Sequence, residues 1–267
     1  MNKNGLLVIS ILFFSCTASM KSTSNIQFAN NPVVAHRGAF KKNGLPENSI
    51  ASVKRAVELK CTGSEFDIWM TADDSLVINH DPTFHALQIE ANTYAALTQN
   101  KLSNGENLPT LRDYIIAGKT GNTHTRLIFE VKPSKVSKER GADVGLRVLK
   151  MVRELKVEAL AVYISFDYNI LTTMLKADPS LATQYLNGDK TPEQVKADGI
   201  TGIDYNISVF KKNPDWIGSA QKLGVVLNAW TVNDPADMDW LLDNKFPFIT
   251  TNEPELLLDK WEKRKQQ

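Results

Sequence analysis

The stretch from Gly63 to Asp81 contains residues whose types and spacing could do chemistry. In an extended chain successive side chains point to opposite faces, so Glu65 and Asp67 share one face of a predicted strand. Two neighbouring buried carboxylates raise the free energy of the fold unless a positive charge lies between them. A bound cation is the simplest candidate, and the next apolar run returns His80 towards the acids. The alternative is a surface hairpin with solvated acids.

Polar side chains also end three other β-type runs. His36 and Arg37 end the first run, and Trp230 lies near the end of a later one. Glu130 and Lys132 end the run TRLIFEVK, where a period of two puts them on the same face. Trp230 either fills the core or presents its ring to a substrate. If these strands are parallel, all of these residues meet at one end of the sheet.

The elements that would position these residues are eight β-type runs alternating with amphipathic helical patterns. The runs are PVVAHR, GSEFDIWM, TRLIFEVK, LAVYISF, LATQYL, ITGIDYN, GVVLNAWTV and FPFIT. This alternation indicates an α/β protein with a parallel sheet, and eight units predict a closed TIM (β/α)8 barrel, which needs about 250 residues. Asn48 is the predicted cap of the first helix. A hairpin arm at 75–80 and the stretch from Pro82 to Leu108 predict a small insertion near the mouth, after the second strand.

Composition excludes two function classes. The 267-residue chain has a formal net charge of +1 and no basic block in its main body, which argues against nucleic acid as a partner. No internal stretch approaches the roughly 20 apolar residues that span a bilayer.

The N-terminus resembles an export signal. Lys3 precedes an apolar run from Gly5 to Phe14, and Cys16 follows it in the manner of a bacterial lipobox. We expect residues 1–30 to be a leader and tether, residues 31–267 to be the barrel, and the protein to be periplasmic or attached to the cell envelope. A lipid on Cys16 would be its only membrane contact. An ordinary cleaved signal is the alternative, and only Cys61 would then remain in the mature body, which leaves no intrachain disulfide.

The ordered set of motifs resembles the glycerophosphodiester phosphodiesterase family across nearly the whole mature chain. The matching segments are AHRGAF with PENS, SEFDIWMTADD with VINHD, FEVKP, ISFD, NAWTVND and ITTNEP. The resemblance implies a metal-dependent phosphodiesterase that hydrolyses glycerophosphodiesters, the deacylated phospholipids, to glycerol phosphate and an alcohol.

The resemblance also implies roles for individual residues. Glu65, Asp67 and Glu130 would be metal ligands, and His36 and His80 would be the acid and base, in an order that the sequence leaves open. Three carboxylates without a cysteine form an all-oxygen site that suits Mg²⁺ or Ca²⁺.

Arg37 and Lys132 resemble the family's phosphate-contacting cations, Trp230 is a candidate for substrate contact, and Glu47 of PENS lies near the site. Cleavage of a phosphodiester needs negative charge neutralised and one proton moved at each end. The nucleophile would be water or, as the family implies, a neighbouring glycerol hydroxyl.

Two segments depart from the family pattern. The segment PTFHALQIEANTYAALTQNKL replaces an arginine- and glycine-rich one, and Asn252 stands where the family usually has aspartate. Both departures predict an effect on the choice of alcohol head group. Two further functions stay open: a phospholipase D-type enzyme acting on lysolipids or sphingolipids, and a catalytically silent ligand-binding lipoprotein.

Overall fold

Eleven β-strands lie within residues 26–266, which together with residue 1 are the part of the chain that the computed structural model describes. They are β1 (Val33–Ala35), β2 (Gly63–Met70), β3 (Leu76–Ile78), β4 (Thr83–Phe84), β5 (Leu87–Gln88), β6 (Arg126–Val131), β7 (Ala161–Ser165), β8 (Thr183–Tyr185), β9 (Gly202–Asn206), β10 (Val226–Trp230) and β11 (Phe248–Thr251). Eight of them form a parallel ring in the order β1-β2-β6-β7-β8-β9-β10-β11, and β1 pairs with both β2 and β11 to close it. The predicted (β/α)8 barrel is confirmed, and each of the eight predicted runs contributes one strand of the ring.

Ten α-helices lie in the same described residues. They are α1 (Ile50–Glu58), α2 (Tyr94–Leu97), α3 (Leu111–Lys119), α4 (Lys138–Leu155), α5 (Tyr168–Ala177), α6 (Pro192–Ala197), α7 (Ile207–Lys212), α8 (Asp215–Leu223), α9 (Pro235–Asp243) and α10 (Pro254–Lys265). The predicted cap of α1 was wrong: Ser49, not Asn48, caps this helix by accepting a hydrogen bond from the Ser52 backbone. None of the helices in this part of the chain is long and apolar enough to cross a bilayer.

Alternation along the strands separates the core from the site. Phe66 and Ile68 point outwards and pack in the layer between the barrel and its helices, so Glu65 and Asp67 point into the barrel. The interior contains a smaller apolar cluster made by Val34, Ile128, Val162, Ile164 and Leu186. The barrel is therefore a packed core, and its polar side chains converge at one end.

The insertion lies where the sequence predicts it. Strand β3 pairs antiparallel with β2 outside the ring, and a two-stranded sheet of β4 and β5 follows. Its apolar residues bury one another in a separate small core: Trp69, Val77, Phe84, Ile89, Leu97 and Leu108. Glu106 then joins the insertion to the barrel, because its carboxylate accepts hydrogen bonds of 2.8 and 3.1 Å from the first backbone amides of α1. The arm that ends in His80 is thus held over the barrel mouth.

The first described residues of the body lie at the opposite end of the barrel. The backbone amides of Gln27 and Ala29 bond to the loop that precedes β6, and the Arg126 guanidinium stacks 3.6 Å from the Phe28 ring centroid. Of the predicted leader and tether at 1–30, residues 2–25, which include Cys16, lie outside the described residues.

Candidate active site

Three carboxylates converge at the C-terminal ends of β2 and β6. Glu65, Asp67 and Glu130 are 2%, 0% and 6% exposed, and each offers one oxygen within 4.8 Å of the others. The register of the barrel explains the third member, because Asp67 and Glu130 are direct partners across the β2–β6 pair. The strand parity read from the sequence therefore brings the three acids together.

One ammonium group accompanies the three acids. Lys132 Nζ lies 2.6 Å from Asp67 Oδ1 and 2.6 Å from Glu130 Oε1, while the buried Glu65 Oε1 has no hydrogen-bond partner among the described residues. Burial and repulsion from Asp67 raise the pKa of Glu65 well above its usual range and that of Glu130 to about 7. Burial opposes ionisation of Asp67 too, but Lys132 and the two site histidines hold the pKa of Asp67 below its usual value.

A divalent cation fits this imbalance of charge. When all three acids are ionised, their three negative charges exceed the positive charge of Lys132 by two units in a buried place. The positive charge of Arg37, whose Nε lies 3.8 Å from Asp67 Oδ2, is balanced by Glu47. The donors are all carboxylate oxygens, which Mg²⁺ and Ca²⁺ prefer. Glu65, Asp67 and Glu130 would hold the ion.

A tight turn after β1 attaches the first strand to this cluster. Arg37 and Gly38 both have positive φ angles, of 53° and 77°, and the Arg37 backbone N–H donates a 2.9 Å hydrogen bond to Glu65 Oε2. A Cβ on Gly38 would lie 2.3 Å from the Ser52 hydroxyl. The left-handed conformation of a non-glycine residue costs about 1–2 kcal/mol, so the strain sits on a residue of the site.

The residues after this turn orient a cation and one of the acids. Both Glu47 carboxylate oxygens accept hydrogen bonds from Arg37 Nη1, at 2.8 and 2.9 Å. Asn48 Nδ2 donates a 2.8 Å hydrogen bond to Asp67 Oδ2. Sequence reasoning missed this role of Asn48, although asparagine is one of the few residues that tolerate its φ of 56°.

The two predicted proton-transfer histidines lie in different surroundings. The His36 side chain is 14% exposed, and its Nε2 lies 3.8 Å from Glu65 Oε2. Burial, assisted by the charge of Arg37, lowers the pKa of His36 to about 4, so its imidazole is neutral at pH 7. The His80 side chain is 37% exposed, and its Nδ1 lies 2.8 Å from Asp81 Oδ1.

The side chain of Asn252 contacts His36, one of the two proposed proton-transfer residues. The sequence predicts a role for Asn252 in the choice of head group, but its Oδ1 lies 2.7 Å from His36 Nδ1. With the side-chain oxygen facing the ring, Nδ1 carries the proton and Nε2 is left as the acceptor. Asn252 therefore fixes the tautomer of His36.

The two histidines, two of the three acids (Glu65 and Glu130) and the two cations line one cavity of about 90 Å³, and Asp67 lies behind them. The other wall of the cavity is formed by Ile164, Phe166, Leu186 and Trp230. The Trp230 ring meets Phe166 edge to face at 5.4 Å, and its Nε1–H donates to the backbone oxygen of Asp204. Trp230 thus lines the cavity and also packs against the apolar cluster of the interior, so contact of its ring with a substrate stays a prediction.

Asp204 is a second residue that sequence reasoning missed. Its side chain lines the same cavity and is 1% exposed, and burial together with the charge of Glu130 raises its pKa well above the usual range. The strand period was the available signal, since in GIDYN the outward-facing Ile203 and Tyr205 leave Asp204 pointing inwards.

Comparisons with known proteins agree with this geometry. The model of the glycerophosphoryl diester phosphodiesterase family matches residues 36–256. A glycerophosphodiester phosphodiesterase of Caldanaerobacter subterraneus subsp. tengcongensis is 28% identical over 243 residues, which cover 85% of this chain and 96% of that protein. A Bacillus subtilis glycerophosphodiester phosphodiesterase is 25% identical, with 96% and 97% covered.

Solved structures show the same fold. A glycerophosphodiester phosphodiesterase from Parabacteroides distasonis superposes with a TM-score of 0.86 at 39% identity, over 90% of this chain and all of that chain. A phosphodiesterase from Oleispira antarctica, solved with the product sn-glycerol-3-phosphate, superposes with a TM-score of 0.72 at 19% identity, over 85% and 95% of the two chains. At that identity the likeness concerns the fold.

Proposed function

Because the chain belongs to the glycerophosphoryl diester phosphodiesterase family, we propose that it hydrolyses glycerophosphodiesters to glycerol phosphate and an alcohol. The observation that carries the proposal is the joining, in one cavity, of a buried carboxylate cluster, two cationic side chains and two histidines. Each part matches a requirement of phosphodiester cleavage, which needs charge neutralised at phosphorus and a proton moved at each end of the reaction.

The charged wall of the cavity suits a phosphodiester. The Arg37 guanidinium is held in place by Glu47, and Lys132 extends from the end of β6 between two of the acids. A Mg²⁺ or Ca²⁺ ion held by Glu65, Asp67 and Glu130 supplies Lewis-acid neutralisation of the phosphate oxygens when it is bound. In its presence Lys132 no longer has to neutralise the acids alone, and its ammonium can contact the phosphate.

The surroundings of the two histidines suggest their roles. His36 is buried, neutral at pH 7 and presents Nε2 as an acceptor, so it takes the proton of the attacking hydroxyl. His80 is partly exposed at the mouth and is oriented by Asp81, so it gives a proton to the alcohol that leaves through the mouth. The nucleophile is therefore deprotonated inside the barrel, and the leaving alcohol is protonated at the mouth.

Substrate class is tested by turnover. The purified protein with Mg²⁺ or Ca²⁺ should release glycerol phosphate from glycerophosphocholine, glycerophosphoethanolamine and glycerophosphoglycerol, and Glu65→Gln should abolish this release. No turnover of any glycerophosphodiester would overturn the proposal.

The structure does not favour the phospholipase D-type alternative. That activity would be favoured by an apolar and exposed insertion, but the insertion's apolar side chains, from Val77 to Leu108, are buried against one another and against Trp69 of β2. Faster turnover of lysophosphatidylcholine than of glycerophosphocholine would reverse this ranking. The complete set of buried acids argues against a silent binding protein, because unneutralised like charges are costly to keep.

We also propose export with a lipid on Cys16. The support is the sequence alone: an apolar run after Lys3, then Cys16 and a polar segment. Cys16→Ser should release the protein from the membrane fraction, and equal membrane association of the two forms would contradict the proposal.

A further inference from the structure

Asp204 is a buried acid for which the mechanism above has no use. It lies on β9 and points into the barrel, across the cavity from the charged wall. Within residues 26–266 its carboxyl oxygen Oδ1 is buried and has no hydrogen-bond partner. A buried polar group without a partner typically costs about 1–3 kcal/mol. A ligand that fills the cavity would remove this cost.

The polar neighbours of Asp204 are already occupied. Asn228, its direct partner on β10, donates to Gln184 Oε1 at 3.3 Å and accepts from the Thr250 hydroxyl at 3.1 Å. These three side chains satisfy one another across β8, β10 and β11. Asp204 lies on β9, between β8 and β10, and its carboxyl group faces the cavity without taking part in these hydrogen bonds.

The positions of the charged side chains indicate which part of a substrate Asp204 can contact. The phosphate must lie near Arg37 and Lys132, on the opposite wall, because these two cations attract a phosphodiester anion. Asp204 therefore faces one of the two alcohol groups that flank the phosphorus. One of these is glycerol, and the other is the head group.

The hydrogen-bonding chemistry of the cavity favours glycerol. The unpartnered Asp204 carboxyl group needs a hydrogen-bonding group opposite it, which a glycerol hydroxyl supplies and a trimethylammonium group does not. The apolar side chains Ile164 and Leu186 can pack against the carbon chain, while a hydroxyl group can both donate to a carboxylate and accept from a carboxylic acid.

We propose that Asp204 is a specificity-determining residue that hydrogen-bonds the terminal hydroxyl of the substrate's glycerol moiety. The assignment rests on the proposed function, because it presupposes that a glycerophosphodiester enters the cavity. It orients the substrate with glycerol inside the barrel, near His36, and with the head group at the mouth, near His80.

The test pairs two substrates with two proteins. The substrates are glycerophosphocholine and its deoxy analogue, in which a methyl group replaces the terminal CH2OH of glycerol. The wild-type enzyme should turn over the analogue with a kcat/KM lower by about 10- to 100-fold, as expected when a buried polar group is left without its hydrogen-bond partner. Asp204→Leu, which has similar size and no polar atom, should reduce kcat/KM for glycerophosphocholine to that of the analogue and leave the analogue unaffected. Asp215→Asn, an exposed acid on α8, is the control and should change neither value.

Each other outcome overturns the assignment. Equal losses on both substrates would indicate a structural role. A loss that disappears with the neutral head group of glycerophosphopropanol would mean that Asp204 binds the head-group cation. Normal wild-type turnover without discrimination against the analogue would remove the role of Asp204 and leave the proposed function standing, whereas no wild-type turnover of either substrate would overturn both. The ratio of the wild-type kcat/KM values for the two substrates needs no variant, so it tests the assignment even if Asp204→Leu fails to fold. In that case Asp204→Asn replaces Asp204→Leu as the variant.

Discussion

Replacing Glu130 with glutamine should stabilise the metal-free protein at neutral and alkaline pH. Glu130 is 6% exposed and lies beside Asp67 and Glu65. Its ionisation therefore costs desolvation and repulsion that Lys132 offsets only in part. Glutamine keeps the shape of the side chain and removes the charge, while Lys132 keeps its ion pair with Asp67 at 2.6 Å.

The size of the effect follows from the pKa of Glu130. The value rises from 4.5 in the unfolded chain to about 7 in the folded protein, which corresponds to about 3 kcal/mol. Because the folded state binds the proton more tightly, this contribution to stability is fully present below about pH 4.5 and is lost as the pH rises through about 7. At pH 8 the melting temperature of Glu130→Gln should exceed that of the wild type by on the order of 10 °C.

Thermal unfolding in excess chelator at several pH values between 4.5 and 8 measures this difference. The two proteins should converge at the acidic end of the series, and Glu262→Gln, a change at an exposed acid on α10, should stay within about 0.5 kcal/mol of the wild type throughout. Adding Mg²⁺ or Ca²⁺ should then stabilise the wild type and have little effect on Glu130→Gln. A Glu130→Gln protein that is no more stable than the wild type at pH 8, or a difference that is the same at every pH, would refute the electrostatic reasoning.

Four further changes probe the residues around the acids. His36→Ala and His80→Ala should each lower kcat by about 10² to 10⁴, and only the His80 variant should recover on a substrate with a very good leaving group; recovery of both would contradict the assigned roles. Asn252→Asp should raise the pKa of His36 from about 4 by about 1–3 pH units, which moves the acidic limb of the pH profile of kcat/KM to higher pH. A limb that does not move would argue against contact between the two side chains. Asn48→Gly keeps the positive φ of 56° but removes the hydrogen bond to Asp67, so metal affinity measured by calorimetry should fall about 10- to 100-fold; an unchanged affinity would show that Asn48 is not needed to orient Asp67.

The sequence predicts the barrel and the acid cluster because both depend on regular periods. Strands and helices alternate along the chain, and a period of two along β2 puts Glu65 and Asp67 on the inner face. Glu130 joins them because β6 is the neighbour of β2 in the ring. These relations are local or follow from the order of the strands, so no knowledge of distant contacts is needed.

The residues that were missed or given another role depend on contacts between distant segments. Asparagine is a residue type that caps helices, but the Asn48 backbone N–H donates to the Arg37 backbone oxygen at 2.9 Å and its side chain donates to Asp67. Asn252 reaches His36 from the other end of the chain, across the closure of the ring. Asp204 points inwards by strand parity, but only the complete barrel shows that its neighbours are paired with one another.

Turnover of glycerophosphocholine by the chelated enzyme tests the central claim most directly, which is that the buried acids bind a divalent cation needed for phosphodiester hydrolysis. After exhaustive chelation and dialysis, release of glycerol phosphate should fall to the background rate, and Mg²⁺ or Ca²⁺ should restore it in the wild type but not in Glu65→Gln. Full activity of the wild-type protein in excess chelator would contradict the claim.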